Sequence, residues 1–453
     1  MMNILNRRQF LNLTLGGAAA ASLTLRARAA ASGKPNIIFI MADDLGYGDL
    51  GCYGQKHIKT PNIDRLAAEG TLFTQCYAGS TVCAPSRSVL MTGQHTGHTR
   101  VRGNKGRVGG VGPEKRVPLE AEDVTVAEIL KNAGYVTGIT GKWGLGEPDT
   151  SGVPSRQGFD QWFGYLNQNK AHSYYPPYLW RNERQQNLEG NRNGRRETYS
   201  HDLFTEFAFD FLRANKDRPF FLYLPYTIPH AAYEIPSTEP YSQKPWPADA
   251  KVHAAMITRM DRDIGRIMAL LQELEVDDET LVFFCSDNGA AQRWEGIFDS
   301  SGPLRGRKRD MYEGGIRTPM IARWPGRIPA GKKSPAVWYF ADVLPTFAEL
   351  VGEKPPRRID GISILPTLLG KKQTTDDRYL YWEFFEGGFK QAVRWRNFKA
   401  VRRGLDQPLE LYDLDNDVAE KNDIADKRLD VAARIELYLQ RARTESPNWP
   451  VKT

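Results

Sequence analysis

The sequence predicts an α/β fold, a large mostly parallel or mixed sheet sandwiched by helices, followed by a smaller C-terminal α+β subdomain. Three observations carry this expectation. Short apolar runs at residues 35–42, 135–139, 218–225 and 281–285 read as buried strands, and each opens into a polar or glycine-containing turn. Between the last two, residues 254–274 place Ile257, Met260, Ile264, Ile267, Met268 and Leu271 on one helical face, which reads as core. After Leu368-Leu369-Gly370, the polar residues 371–377 form a boundary. Beyond it lie strand-like runs at 379–384, 391–401 and 409–412 and a helical run at 429–442. The expected units are residues 34–370 and 378–453, the second with a small antiparallel sheet and a helix.

The chain begins with a targeting pattern at residues 1–29. Asn6-Arg7-Arg8-Gln9-Phe10-Leu11 resembles a twin-arginine export signal, an apolar run at 11–25 follows, and Ala27-Arg28-Ala29 reads as a cleavage site. The run is diluted by Gly, Ser, Thr and Asn and is short of the ~20 apolar residues that span a bilayer, so no stable membrane anchor is expected. Export machinery of the twin-arginine type is therefore an expected partner, and the mature protein is expected to be periplasmic or secreted. The segment carries four arginines and no acid, so its removal lowers the net charge from +7 to +3. That modest excess gives no reason to expect a nucleic-acid partner. The remainder has an ordinary globular balance, 41% hydrophobic and 25% charged over the full 453 residues. The four cysteines, Cys52, Cys76, Cys83 and Cys285, do not make a disulfide scaffold.

The first strand ends in Asp43-Asp44-Leu45-Gly46. Neighbouring residues of a strand face opposite ways, so both aspartates can serve one site only if the strand has already ended. Ligands of open parallel sheets sit beyond such ends, so the pair reads either as a hard-cation site or as a solvated turn. Thr60-Pro61-Asn62 opens a short helix that Gly70 stops. Next comes Cys83-Ala84-Pro85-Ser86-Arg87-Ser88-Val89-Leu90-Met91-Thr92-Gly93. Pro85 suits a first helical turn and Gly93 the position past a helix end. Cys83 then lies at a helix N-terminus, which favours an anion, with Arg87 on the same face. Alone, Cys83 reads as a buried cysteine of an ordinary helix.

The whole run resembles the signature of the type I sulfatases, Cys-x-Pro-Ser-Arg followed by x-x-Leu-x-Thr-Gly, with every fixed position met. The resemblance implies an alkaline phosphatase-like fold. It also implies that Cys83 is oxidised by a formylglycine-generating maturation enzyme to formylglycine, whose hydrate is the nucleophile. Further along, Gly141-Lys142-Trp143-Gly144-Leu145-Gly146 is similar to a family motif in which Lys142 contacts sulfate. The family has a histidine where this chain has Gly144, so the group that would help break down the sulfated intermediate is missing there. Residues 159–180 are dense in aromatics and amides, a composition that suits a sugar ring or an aromatic core. His172, in this stretch, is a candidate substrate contact or a stand-in for the lost histidine.

Tyr226-Thr227-Ile228-Pro229-His230 follows the next strand, and the resemblance makes His230 the leaving-group acid, a role its titration range suits. Ser286-Asp287-Asn288-Gly289 follows the 281–285 strand, and by resemblance Asp287 and Asn288 complete a metal site with Asp43, Asp44 and position 83. An all-oxygen donor set favours Ca2+, with Mg2+ as the alternative. Lys308, in Gly306-Arg307-Lys308-Arg309, matches a second sulfate-contacting lysine, while Glu313, Gly314, Gly315 and Arg317 read as structural. The activity implied is hydrolysis of a sulfate ester, with Arg87, Lys142 and Lys308 holding the sulfate oxygens and Asp287 as base. The expected substrate is a sulfated carbohydrate or an aryl sulfate. Two alternatives stand beside it: a phosphonate or phosphate ester hydrolase of the same superfamily, and a non-catalytic relative that binds sulfated glycans.

Overall fold

The computed structural model describes residues 33–375 and 377–451, so the targeting pattern at 1–29 lies outside the described residues. Strands β1 (Asn36–Ala42), β2 (Thr71–Tyr77), β3 (Val136–Lys142), β4 (Gln161–Tyr165), β5 (Tyr178–Arg181), β6 (Arg184–Asn187), β7 (Phe220–Pro225), β8 (Thr280–Ser286), β9 (Arg317–Arg323) and β10 (Lys332–Tyr339) form one sheet, in the order β10-β2-β9-β8-β1-β7-β3-β4-β5-β6. The centre, β8-β1-β7-β3-β4, is parallel. On one side β9 runs antiparallel between β8 and β2, and on the other β5 and β6 close the sheet antiparallel, so the sheet is mixed.

β1 is buried along its whole length. Ile37, Phe39 and Met41 pack into one apolar layer with the helices Cys83–Thr92, Val126–Asn132 and Val343–Val351. Ile38, Ile40 and Ala42 pack into the opposite layer with Ser200–Asn215 and Ala248–Glu273. A strand covered on both faces has no polar alternation, which is why its sequence reads as one apolar run. The functional loops therefore emerge at a single rim, beyond the carboxyl ends of the parallel strands.

A second sheet, β11 (Tyr379–Phe384), β12 (Lys390–Trp395), β13 (Phe398–Arg402) and β14 (Glu410–Asp413), is antiparallel throughout and packs on the helix Leu429–Leu439. The run at 391–401 that the sequence presents as one strand is a hairpin turned at Arg396, whose φ is 56°. Most aromatics of 159–180 are core rather than surface: Trp162, Phe163, Tyr165 and Tyr174 are buried. Among the described residues, no helix is long and apolar enough to cross a membrane.

The two sheets are joined by a buried ionic cluster. Lys399 of β13 is fully buried, with Nζ 3.2 Å from Glu313 Oε1 and 3.4 Å from Glu420 Oε1. Replacing Lys399 with Met strips buried Glu420 of its cation and leaves Glu313 only its pair with Arg317, and should destabilise the protein by about 3–5 kcal/mol. Equilibrium unfolding by denaturant is the check, and a loss under about 1 kcal/mol would show that the cluster relaxes by protonation.

Candidate active site

The site is assembled from strand ends. After β1 the chain turns at Asp44, whose φ is 66°. This left-handed conformation, uncommon for a side-chain-bearing residue, ends the strand's alternation within one residue. Asp43 and Asp44 thereby meet in one cluster, both buried. β8, the parallel neighbour of β1, delivers Asp287 and Asn288, also buried. Asp44 N–H donates to Asp287 Oδ1 at 3.2 Å, and Asn288 Nδ2 donates to Asp44 Oδ1 at 2.7 Å.

Cys83 opens the helix Cys83–Thr92, which is buried throughout. Gly93 ends the helix with φ 70° and returns its N–H to Val89 O, as a glycine just past a helix end does. At the other end no local side chain caps the helix. Instead Asn104 Oδ1 accepts from Ala84 N–H at 3.0 Å, a long-range cap that helix-start patterns in the sequence cannot reveal. Cys83 Sγ lies 3.5 Å from Asp43 Oδ1 and 3.4 Å from Lys308 Nζ.

Three cations balance the three carboxylates. Lys142, at the end of β3, places Nζ 2.7 Å from Asp43 Oδ2. Lys308 Nζ lies 2.6 and 2.8 Å from the two oxygens of Asp44. Arg87 is fully buried, donates to Asp287 Oδ2 at 2.8 and 3.2 Å, and reaches the Lys142 carbonyl at 2.6 Å. Cys83, Asp44, His172, His230 and Lys308 line a cavity of about 590 Å³. Arg87 and Lys142 lie beneath it and brace Asp287 and Asp43. His230 Nε2 faces Asp44 Oδ2 at 3.4 Å, its Nδ1 contacts the Ala231 carbonyl, and its ring stacks on His172 at 4.1 Å.

Burial and neighbouring charges oppose each other at Asp43 and reinforce each other at Asp287, Cys83 and His172. Burial alone would raise Asp43, but Lys142, His230, Arg87 and Lys308 outweigh it and hold the carboxyl well below the usual range. Burial and then the Asp43 charge push Asp287 up to about 6, against the pull of Arg87. Burial and then Asp43 push the Cys83 thiol up to about 12. Burial and then His230 lower His172 to about 3. All the residues expected from the sequence, Asp43, Asp44, Cys83, Arg87, Lys142, His172, His230, Asp287, Asn288 and Lys308, thus meet at one rim of the sheet.

A doubly covered mixed sheet with its polar cluster at this rim is the architecture of an alkaline phosphatase-like hydrolase. The sulfatase family profile matches residues 35–353, and a second profile, N-sulphoglucosamine sulphohydrolase, C-terminal, matches 306–445. The N-acetylgalactosamine-6-sulfatase of Canis lupus familiaris is 36% identical over 398 residues, covering 82% of this chain and 72% of its own. Human arylsulfatase A is 34% identical over 424 residues, covering 85% and 78%. Ps i-CgsB, solved in complex with k-i-k-neocarrahexaose, superposes with a TM-score of 0.81 at 30% identity, covering 93% of this chain and 95% of that one. The chain belongs to the sulfatase family and is a sulfuric ester hydrolase.

Proposed function

We propose that this protein is an exported carbohydrate sulfatase, periplasmic or secreted, that works through a formylglycine matured from Cys83 and through a bound Ca2+, with Mg2+ as the alternative. The observation that carries the reading is the position of Cys83. It opens a helix on the floor of the cavity, between Asp43 and Lys308, where an anionic ester can be met by a nucleophile and a cation together. The proposal takes residues 34–370 as the catalytic domain and 378–453 as the C-terminal subdomain. Its partners are a formylglycine-generating maturation enzyme and the twin-arginine export machinery.

The donor set fits a hard cation. Asp43, Asp44 and Asp287 offer carboxylate oxygens, and Asn288 Oδ1 is buried with no hydrogen-bond partner. These four residues and position 83 would hold the ion, which supplies Lewis-acid polarisation of a sulfate oxygen. A matured position 83 supplies one hydroxyl to attack sulfur and a second to release it.

The remaining work falls to side chains of this chain. Lys308, at the cavity wall, holds a sulfate oxygen as charge redistributes toward the leaving oxygen. Lys142 and Arg87 keep Asp43 and Asp287 aimed upward, and Lys142 and Arg87 complete the positive surround of the sulfate. Asp287, raised by burial, takes the proton of the attacking hydroxyl. As the imidazolium, His230 donates Nδ1–H to the Ala231 carbonyl and passes its Nε2 proton, held toward Asp44, to the departing alkoxide. His172 stacks on His230, fixes its ring plane, and meets the substrate at the cavity wall. The sugar is taken as galactose-type, supported by the relative named N-acetylgalactosamine-6-sulfatase and the neighbour solved with neocarrahexaose.

His230→Ala should lower kcat on a sugar sulfate by ~10²–10⁴-fold. On an aryl sulfate with an acidic phenol the loss should shrink toward ~10-fold, because such a leaving group needs little protonation. Equal losses on both substrates would remove the acid role from His230. His172→Ala, assayed beside it, should cost at least ~10-fold in rate.

A further inference from the structure

The loop after β4 carries three consecutive amides, Asn167-Gln168-Asn169. The outer two are paired. Asn167 donates to Glu147 Oε1 and accepts from Asn169 N–H, and Asn169 Oδ1 accepts from Arg116 Nη2 at 2.8 Å. Gln168 between them is 3% exposed, and neither its Oε1 nor its Nε2 has a hydrogen-bond partner. Buried amide groups without partners are rare, and these two atoms belong to a side chain that lines the catalytic cavity beside Cys83 and His230. The backbone makes room for it at Gly144. A Cβ built there would stand 2.0 Å from Gln168 Nε2, and Gly144 has φ 80°, a conformation that favours glycine.

We propose that Gln168 is a substrate-contacting specificity residue whose carboxamide reads a sulfate ester together with a free hydroxyl of the same sugar. The assignment rests on the carbohydrate sulfatase reading and names the feature of the sugar that the site recognises. Sulfate oxygens only accept, so the amide N–H group donates to the sulfate. The amide oxygen only accepts, so its natural partner on the same substrate is a hydroxyl. A substrate with a sulfate and no hydroxyl satisfies one half of the amide and strands the other. A site built to bond a hydroxyl discriminates strongly against the analogue that lacks it.

The test compares kcat/KM for N-acetylgalactosamine 6-sulfate, galactose 4-sulfate, galactose 6-sulfate and 4-methylumbelliferyl sulfate, the last without any hydroxyl. Gln168→Met, close in shape but without the amide, should lower the best sugar sulfate by ~10²–10³-fold and the aryl sulfate by only ~10-fold, so that selectivity falls at least ~10-fold. Gln168→Glu keeps an acceptor and replaces the donor with a charge that repels sulfate. Both substrates should drop steeply while the sugar-to-aryl ratio stays near the wild-type value. Parallel losses in Gln168→Met, or losses under ~3-fold on the sugar sulfate, would overturn the assignment while leaving the sulfatase reading intact. Wild-type enzyme that hydrolyses the aryl sulfate and none of the sugar sulfates would instead overturn the carbohydrate reading, and this assignment with it.

Discussion

Cys83→Ala should abolish sulfate release, lowering kcat by at least ~10⁴-fold while the protein keeps its fold. The side chain is buried and small, so its truncation removes one sulfur from a cluster fixed by hydrogen bonds it does not make: Lys142 to Asp43, Lys308 to Asp44 and Arg87 to Asp287. The loss is therefore chemical rather than architectural. Cys83→Ser separates the steps. A serine in place of Cys83 offers one hydroxyl, enough to attack sulfur, but has no second hydroxyl to expel the sulfate. It should release the alcohol once per active site and then stall. The matching observation on the wild-type protein is the mass of the peptide that contains Cys83, which should show sulfur replaced by oxygen and two hydrogens lost, as an aldehyde requires. Active protein whose position 83 is entirely thiol would contradict the proposed nucleophile. Multiple turnovers by Cys83→Ser would contradict the release step.

Removing divalent cations should have the second largest effect. Three carboxylates, Asp43, Asp44 and Asp287, face three cations, Arg87, Lys142 and Lys308, so the side chains alone are formally neutral. A divalent cation tips the site to +2 and makes it a receptor for an anionic ester. Dialysis against a chelator should lower kcat/KM by at least ~10²-fold, with the loss divided between a raised KM and a lowered kcat. Ca2+ should restore activity better than Mg2+, because Ca2+ accepts irregular sets of carboxylate and amide oxygens whereas Mg2+ demands a near-ideal octahedron. The readout independent of turnover is thermal unfolding. At a Ca2+ concentration ~100 times its Kd, stability should rise by about 2.7 kcal/mol, because the ion binds the folded state alone. A protein whose activity and melting temperature both ignore the chelator would lack the proposed metal site.

Much of this site was legible before any coordinates, for a physical reason. Catalytic groups of an α/β sheet collect at the carboxyl ends of parallel strands, and buried strands announce themselves as short apolar runs. The ends of β1, β3, β7 and β8 could thus be found as the places where such runs meet Asp43, Lys142, His230 and Asp287. The other six of the ten strands of the large sheet were less legible. β9 is bounded by Arg317 and Arg323 and contains Pro319, and β10 begins with exposed residues including Lys332 and Lys333, so neither reads as a core strand. Aromatic density was ambiguous, because Trp162, Phe163 and Tyr165 obey core packing and only Gln168, Asn169 and His172 of that stretch reach the cavity. Whether Arg87 and Lys142 line the cavity or lie beneath it depends on side-chain layering, which spacing along the chain does not encode. The same holds for Asn104, which caps the Cys83 helix from twelve residues beyond its end.

The most direct test of the central claim is sulfate release by the wild-type protein and by Cys83→Ala. The substrates are sulfated mono- and disaccharides, with an aryl sulfate and a phosphonate monoester beside them. The wild-type protein should release sulfate from a galactose-type sugar sulfate, with a kcat/KM above those for the aryl sulfate and the phosphonate, and the variant should release none. Phosphonate hydrolysis that outpaces all sulfate release, or sulfate release that survives in Cys83→Ala, would contradict that claim.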